Sequence, residues 1–281
     1  MITLIAKKKL IIIVSSLLLL SSYIYYSEKD EKNNQYEEAK EKEIVFEKII
    51  AYSQQKVPVL CYHAIRNINK KDSPTQKTYS VTPTTFALQM KALADNGYKT
   101  ITPDALYNNI KYHKPLPKKP ILITFDDGRK EQYSIGAEEM KKHNFKGIFF
   151  IMTVAIGKPD YMTKTEIKAL SDNGHTIGCH TWDHHKINQY TKQDWQIQLL
   201  KPKKLLENIT GKPVCYFAYP YGVWNEAAAD SLKKDGYKMA FIVYGKNNPV
   251  KPLYTIQRMI VPGSYSADAL LQSIKNTFGN Q

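Results

Sequence analysis

The apolar run Ile121-Leu-Ile-Thr-Phe125 ends in two adjacent carboxylates, Asp126 and Asp127, and further along His180-Thr-Trp-Asp-His184 sets two imidazoles four positions apart. Such a run reads as a buried strand, and carboxylates at its end are costly unless a cation or hydrogen-bond donors offset the lost hydration. Two histidines and one carboxylate make a facial ligand set that leaves coordination positions open for water and substrate, as hydrolytic metal sites require. Asp127, His180 and His184 are the candidate ligands. The i, i+4 spacing puts both imidazoles on one face if the chain turns helical after Cys179, which frees Asp126 to act as general base. These ligand types suit zinc by default, with iron, cobalt and nickel compatible.

Taken singly, Asp-Asp-Gly is an ordinary turn and His-x-x-x-His a common coincidence. A third element joins them. The apolar run Cys215–Tyr219 leads into Pro220-Tyr221-Gly222, a stiff aromatic turn that could offer a backbone N–H to a developing oxyanion, which makes Tyr221 a candidate catalytic residue.

To bring these groups together the chain must alternate strands and helices. Strands are expected at Val57–His63, Tyr98–Thr102, Ile121–Phe125, Gly147–Thr153, Thr176–His180, Cys215–Tyr219 and Lys238–Tyr244. Thr82-Pro83 and Thr102-Pro103 open two helices, Thr as cap and Pro at the first helical position. Further helices are expected at Gln132–His143, Thr163–Asn173, Thr191–Asn208, Trp224–Lys234 and Ser266–Phe278. About seven such units in roughly 225 residues suit a closed or nearly closed α/β barrel of parallel strands better than an open doubly wound sheet. Asp126, Asp127, His180 and Tyr221 all fall at carboxyl ends of strands, where α/β folds place their sites.

The chain has 281 residues, 43% of them hydrophobic, and a formal net charge of +14. Lys7-Lys8-Lys9 precede the uncharged run Leu10–Tyr26, which at about 17 residues is marginally long enough to cross a bilayer. Residues 1–26 are read as a signal anchor or signal peptide, 27–56 as a charged stalk and 57–281 as the catalytic domain. The domain would face the extracytoplasmic side, membrane-anchored or, if the signal is cleaved, secreted. Basic residues are scattered, with no arginine-rich stripe among aromatics, which argues against nucleic acid as a partner. Cys61, Cys179 and Cys215 read as small core residues before ligands.

Thr124-Phe-Asp-Asp-Gly128, His180-Thr-Trp-Asp-His184 and Phe217-Ala-Tyr-Pro-Tyr-Gly222, in this order, resemble the motifs of the polysaccharide deacetylase family, carbohydrate esterase family 4. The opening Pro58-Val-Leu-Cys-Tyr-His63 and the Tyr219-Pro-Tyr-Gly222 turn are most similar to the branch acting on poly-β-1,6-N-acetylglucosamine. The resemblance implies a distorted (β/α) barrel of about seven strands. It also implies Asp126 as general base, a divalent metal on Asp127, His180 and His184, and N-deacetylation of an N-acetylglucosamine-containing glycan. Two features depart from the family: no Asp-x-x-Asp-Trp motif stands near Tyr244, and no histidine follows His185 to serve as general acid.

His63 is the candidate acid, because it ends the first strand and a barrel brings that end beside the last strands. Tyr221 and Trp182 are the candidate substrate contacts, while His113, His143, His175 and His185 read as surface or supporting residues. Alternative substrates are peptidoglycan or an O-acetylated glycan, and a catalytically idle glycan-binding protein is the alternative of another class.

Overall fold

The computed structural model describes residues 34, 36, 37, 40 and 57–279. The expected membrane segment 1–26 and most of the stalk 27–56 lie outside the described residues. Among those described, no helix is long and apolar enough to cross a membrane. Lys56–Gln281 forms a compact unit of its own.

Eleven strands are present in that unit: β1 Val59–Tyr62, β2 Ala64–Ile65, β3 Ser80–Val81, β4 Lys99–Thr100, β5 Pro120–Phe125, β6 Ile148–Ile151, β7 Thr176–Cys179, β8 Tyr216–Ala218, β9 Met239–Ile242, β10 Ile256–Gln257 and β11 Met259–Ile260. Eight of them pair in the order β10-β9-β8-β7-β6-β5-β1-β11, every pairing parallel. The two ends of this path are halves of one segment split by Arg258, so the sheet is a nearly closed barrel. The Arg258 N–H still donates to Ile242 O of β9 (2.9 Å), whereas the Val261 N–H donates to Cys61 O of β1 (3.0 Å). Arg258 is the point at which the closing segment changes partner. All seven strands expected from the sequence form. The closing segment was not expected, because each half is only two residues long.

β1, β5, β6, β8 and β9 are buried along their whole length, consistent with parallel strands covered on both faces. The helices Pro83–Asp95 and Pro103–Tyr112 begin as expected. Thr82 Oγ1 accepts from Thr85 N and Thr102 Oγ1 from Ala105 N, each at 3.1 Å. A small two-stranded sheet, β2 with β3, stands beside the end of β1. It is braced from beneath by Gly263, whose N–H donates to Thr78 O at 2.9 Å. A Cβ at Gly263 would overlap the Ser80 carbonyl, so only glycine allows this approach.

Of the histidines read as surface or supporting residues, His175 is a core residue. It is buried just before β7, its Nδ1 accepts from Gly147 N at 3.1 Å, and its ring meets Phe149 edge-on. Burial, with a smaller effect of Lys146, pushes its imidazole down to about 4.

A Cβ at Gly178 of β7 would overlap the Phe150 ring and lie 3.1 Å from Tyr216 O. Gly178→Ala is expected to cost roughly 1–3 kcal/mol, read as a lower denaturation midpoint at unchanged slope. His175 is neutral when folded and titrates normally when unfolded, so the unfolded chain binds the extra proton and stability falls as pH drops from about 6.5 to about 4. His175→Asn keeps an acceptor for Gly147 and should remove on the order of 3 kcal/mol of that pH-dependent loss, measured by denaturation at both pH values.

Candidate active site

Register sets the first pair. β1 and β5 run with Tyr62 opposite Phe125, so the next residues, His63 and Asp126, leave the barrel side by side, and Asp126 N still donates to Tyr62 O at 3.0 Å. His63 Nε2 stands 4.0 Å from Asp126 Oδ2. The buried amide of Gln132 ties the two backbones, its Nε2 donating to His63 O (2.7 Å) and Asp126 O (2.5 Å). Burial lowers the His63 imidazole, and the two aspartates oppose that shift.

Asp126 is held by Arg258, a residue the motifs did not flag. Nη1 donates to Oδ1 at 2.6 Å and Nη2 to Oδ2 at 2.7 Å, with both side chains almost fully buried. Nη1 also donates to Thr124 Oγ1 (3.1 Å), and the Cys61 thiol donates to Asp126 Oδ2 at 3.5 Å. Burial alone would raise the Asp126 carboxyl, but Arg258, helped by His180 and His63, overcomes it and holds the group well below the usual carboxylate range. The only sequence signal for Arg258 is a lone arginine inside the apolar stretch Thr255-Ile-Gln-Arg-Met-Ile-Val261.

The three expected metal ligands converge. Asp127 Oδ1 lies 3.7 Å from His180 Nε2 and 3.7 Å from His184 Nε2. His180 Nδ1 donates to Ala218 O at 2.8 Å, which orients the ring with Nε2 toward Asp127. Burial, then His180, pushes the His184 imidazole down to about 4, so its ring offers a lone pair at neutral pH. One carboxylate oxygen and two imidazole nitrogens within mutual reach fit a divalent ion. Cys61, His63 and Asp126 form a second such group, but both Asp126 oxygens are occupied by the Arg258 cation, which disfavours a metal there.

The expected helix after Cys179 does not form. Thr181 and His184 both have left-handed backbones (φ 67° and 66°), and the turn is closed by His184 N donating to Thr181 Oγ1 at 2.9 Å. The end of β7 therefore places His180, and the turn that follows places His184. The Trp182 N–H donates to Gln198 Oε1 (3.2 Å), and Lys201 Nζ caps its ring at 3.8 Å from the centroid. Of the two expected substrate contacts, Tyr221 lines the cleft and Trp182 does not.

Asp127 and Tyr221 are also left-handed, at φ 78° and 58°. Strained backbone thus gathers at Asp127, Thr181, His184 and Tyr221, at a cost of about 1–3 kcal/mol each. The Tyr221 ring is half exposed and stands edge-on to His184, centroids 4.5 Å apart. His63, Asp126, Asp127, His180, His184 and Tyr221 all line one cleft of about 1020 Å³.

Arg258→Met would leave Asp126 buried without its cation, and a loss of about 3–5 kcal/mol of stability is expected at neutral pH. Asp126 is depressed in the wild type, so its contribution is present above the unfolded carboxylate value and lost in acid. The gap between variant and wild type, measured by denaturant unfolding, should therefore narrow below about pH 4.

Residues 113–240 match the family described as Polysaccharide deacetylase. YxkH of Bacillus subtilis (strain 168), named for that family, is 31% identical over 76% of this chain and 74% of its own length. The poly-β-1,6-N-acetyl-D-glucosamine N-deacetylase of Staphylococcus aureus (strain MRSA252) is 28% identical over 83% of this chain and 86% of its own. The Streptococcus pyogenes deacetylase PplD shares the fold at a TM-score of 0.72 and 23% identity, covering 77% of this chain and 97% of that one. With the barrel, the three motifs and a relative aligned over most of both lengths, this chain belongs to the polysaccharide deacetylase family and is a deacetylase enzyme.

Proposed function

We propose that this enzyme is a metal-dependent N-deacetylase of an N-acetylglucosamine polymer, working on the extracytoplasmic side. One observation carries the chemistry: a two-imidazole, one-carboxylate group with 3.7 Å spacings adjoins an aspartate locked as an anion, with a histidine 4.0 Å beyond it. The Staphylococcus aureus relative, named for poly-β-1,6-N-acetyl-D-glucosamine, supports the substrate class. Lys7–Lys9 and the apolar run Leu10–Tyr26 support the location.

Asp127, His180 and His184 would hold the metal, zinc by default. A divalent ion there supplies Lewis acidity, which acidifies water and stabilises negative charge on the acetamide oxygen. Asp126 orients the attacking water and accepts its proton. The Arg258 ion pair keeps Asp126 anionic while lowering its basicity. His63 protonates the leaving amine, and Gln132 keeps it level with Asp126 through their two carbonyls. The Tyr221 N–H is assigned to the oxyanion. The products are acetate and a glucosamine unit that is cationic at neutral pH.

The full chain, metal-loaded, is expected to release acetate from N-acetylglucosamine oligomers and to stop when a chelator strips the metal. Asp126→Asn and His63→Gln should each lower kcat by roughly 10²–10⁴-fold with metal content unchanged. Release that persists in the metal-stripped enzyme would refute the mechanism.

A further inference from the structure

Two tyrosines outside the motifs meet across the cleft. Tyr79, just before β3, and Tyr244, just beyond β9, both line it, and their hydroxyls lie 3.0 Å apart. The ring of Tyr79 stands edge-on to His63, centroids 4.6 Å apart. Tyr244 is 59% exposed and Tyr221 51%, so two of the exposed large side chains of this chain face the same concave site. Isolated exposed tyrosines are unremarkable on a convex surface, but two in one cleft beside the reacting groups form an apolar patch with a purpose.

We propose that Tyr79 and Tyr244 form a sugar subsite for the ring adjoining the one deacetylated, on the His63 side of the cleft. The inference rests on the glycan deacetylase reading above.

The chemistry follows from the pair itself. Each phenol can donate one hydrogen bond, and the contact between them uses only one of the two hydrogens, leaving the other and the free lone pairs for a ligand. A pyranose ring presents hydroxyls at its rim and C–H groups on its face. A half-exposed aromatic ring with an adjacent donor and acceptor complements both. The support is rigid on both sides. Tyr79 donates its N–H to Thr75 O and accepts at its carbonyl from Ala64 N, each at 3.0 Å, on the sheet braced by Gly263. Tyr244 stands beside the Tyr221 turn, because Gly222 at φ +67° lets the two loops meet: a Cβ there would lie 2.8 Å from Val243 N and 3.2 Å from Tyr244 N. Tyr221 and Tyr244 thus sit on abutting loops as successive platforms along one cleft.

The test uses the full metal-loaded chain, with acetate release from N-acetylglucosamine oligomers of increasing length compared with hydrolysis of a small acetyl ester. Tyr244→Ala is expected to raise KM for the longer oligomers on the order of ten-fold, with kcat within about two-fold and the small ester unaffected. Tyr79→Phe, which keeps the ring against His63 and removes one hydroxyl, should raise the same KM a few-fold. Calorimetric binding of the longest oligomer to Asp126→Asn protein, with and without Tyr244→Ala, should show the same weakening. Unchanged oligomer KM and binding in Tyr244→Ala, or an equal fall in kcat on ester and oligomer, would overturn the subsite, the latter by showing that the pair only positions His63. Wild-type protein that cleaves the ester but neither turns over nor binds any oligomer would overturn the substrate reading as well.

Discussion

The buried pair between Asp126 and Arg258 is the interaction on which both the barrel and the chemistry turn. Arg258 lies where the closing segment leaves β9 and joins β1, and its guanidinium reaches across the interior to the carboxylate beyond β5. A buried ion pair adds little net stability against an apolar substitute, yet it is severely damaging when broken on one side. Its value here is specificity: the two-residue halves β10 and β11 have few hydrogen bonds with which to choose a register, and the bidentate fork pins the residue between them. The same contact keeps Asp126 anionic in a site that would otherwise neutralise it, in exchange for weaker basicity.

Around this pair the site is assembled from strand ends in register and from loops in strain. Parallel pairing alone sets His63 beside Asp126 and His180 beside Ala218, so these side chains need little local adjustment. Asp127, Thr181, His184 and Tyr221 instead occupy a backbone region that costs energy for any residue but glycine. That cost is tolerable because Asp127, Thr181 and Tyr221 follow closely on buried strands that constrain the loops, and the Thr181 hydroxyl closes the turn that carries His184. The strain turns Asp127 out of line with Asp126, so two consecutive carboxylates serve two different partners, Arg258 and the imidazole pair.

A chain with net charge +14 keeps a concentration of carboxylates in its cleft. Most are committed: Asp126 to Arg258, Asp127 to the histidines and Arg129, Asp72 to Arg66 at 2.9 Å. The basic excess lies outside this region, so the local balance of the cleft is opposite in sign to that of the chain.

Much of this was readable from the residues. Short, largely apolar runs such as Ile121–Phe125 read as covered strands, and alternation with capped helices such as those after Thr82 and Thr102 favours a parallel barrel over an open doubly wound sheet. Carboxylates and imidazoles at those strand ends call for a cation or hydrogen-bond donors to offset the cost of burying them, and Arg258 is one such cation for Asp126. Three things were beyond it. The closing segment Ile256–Ile260 is strand only because β9 and β1 flank it, since two-residue pieces carry no period of their own. Arg258 is a partner of Asp126 only across 132 positions of chain. The loop at Thr181 replaced the helix that the His180–His184 spacing suggested, because the Thr181 and Trp182 carbonyls accept from Thr153 N and Val154 N beyond the end of β6 rather than from a following helical turn. Periodicity reports how a segment can pack against a surface; which surface it meets is decided by the rest of the chain.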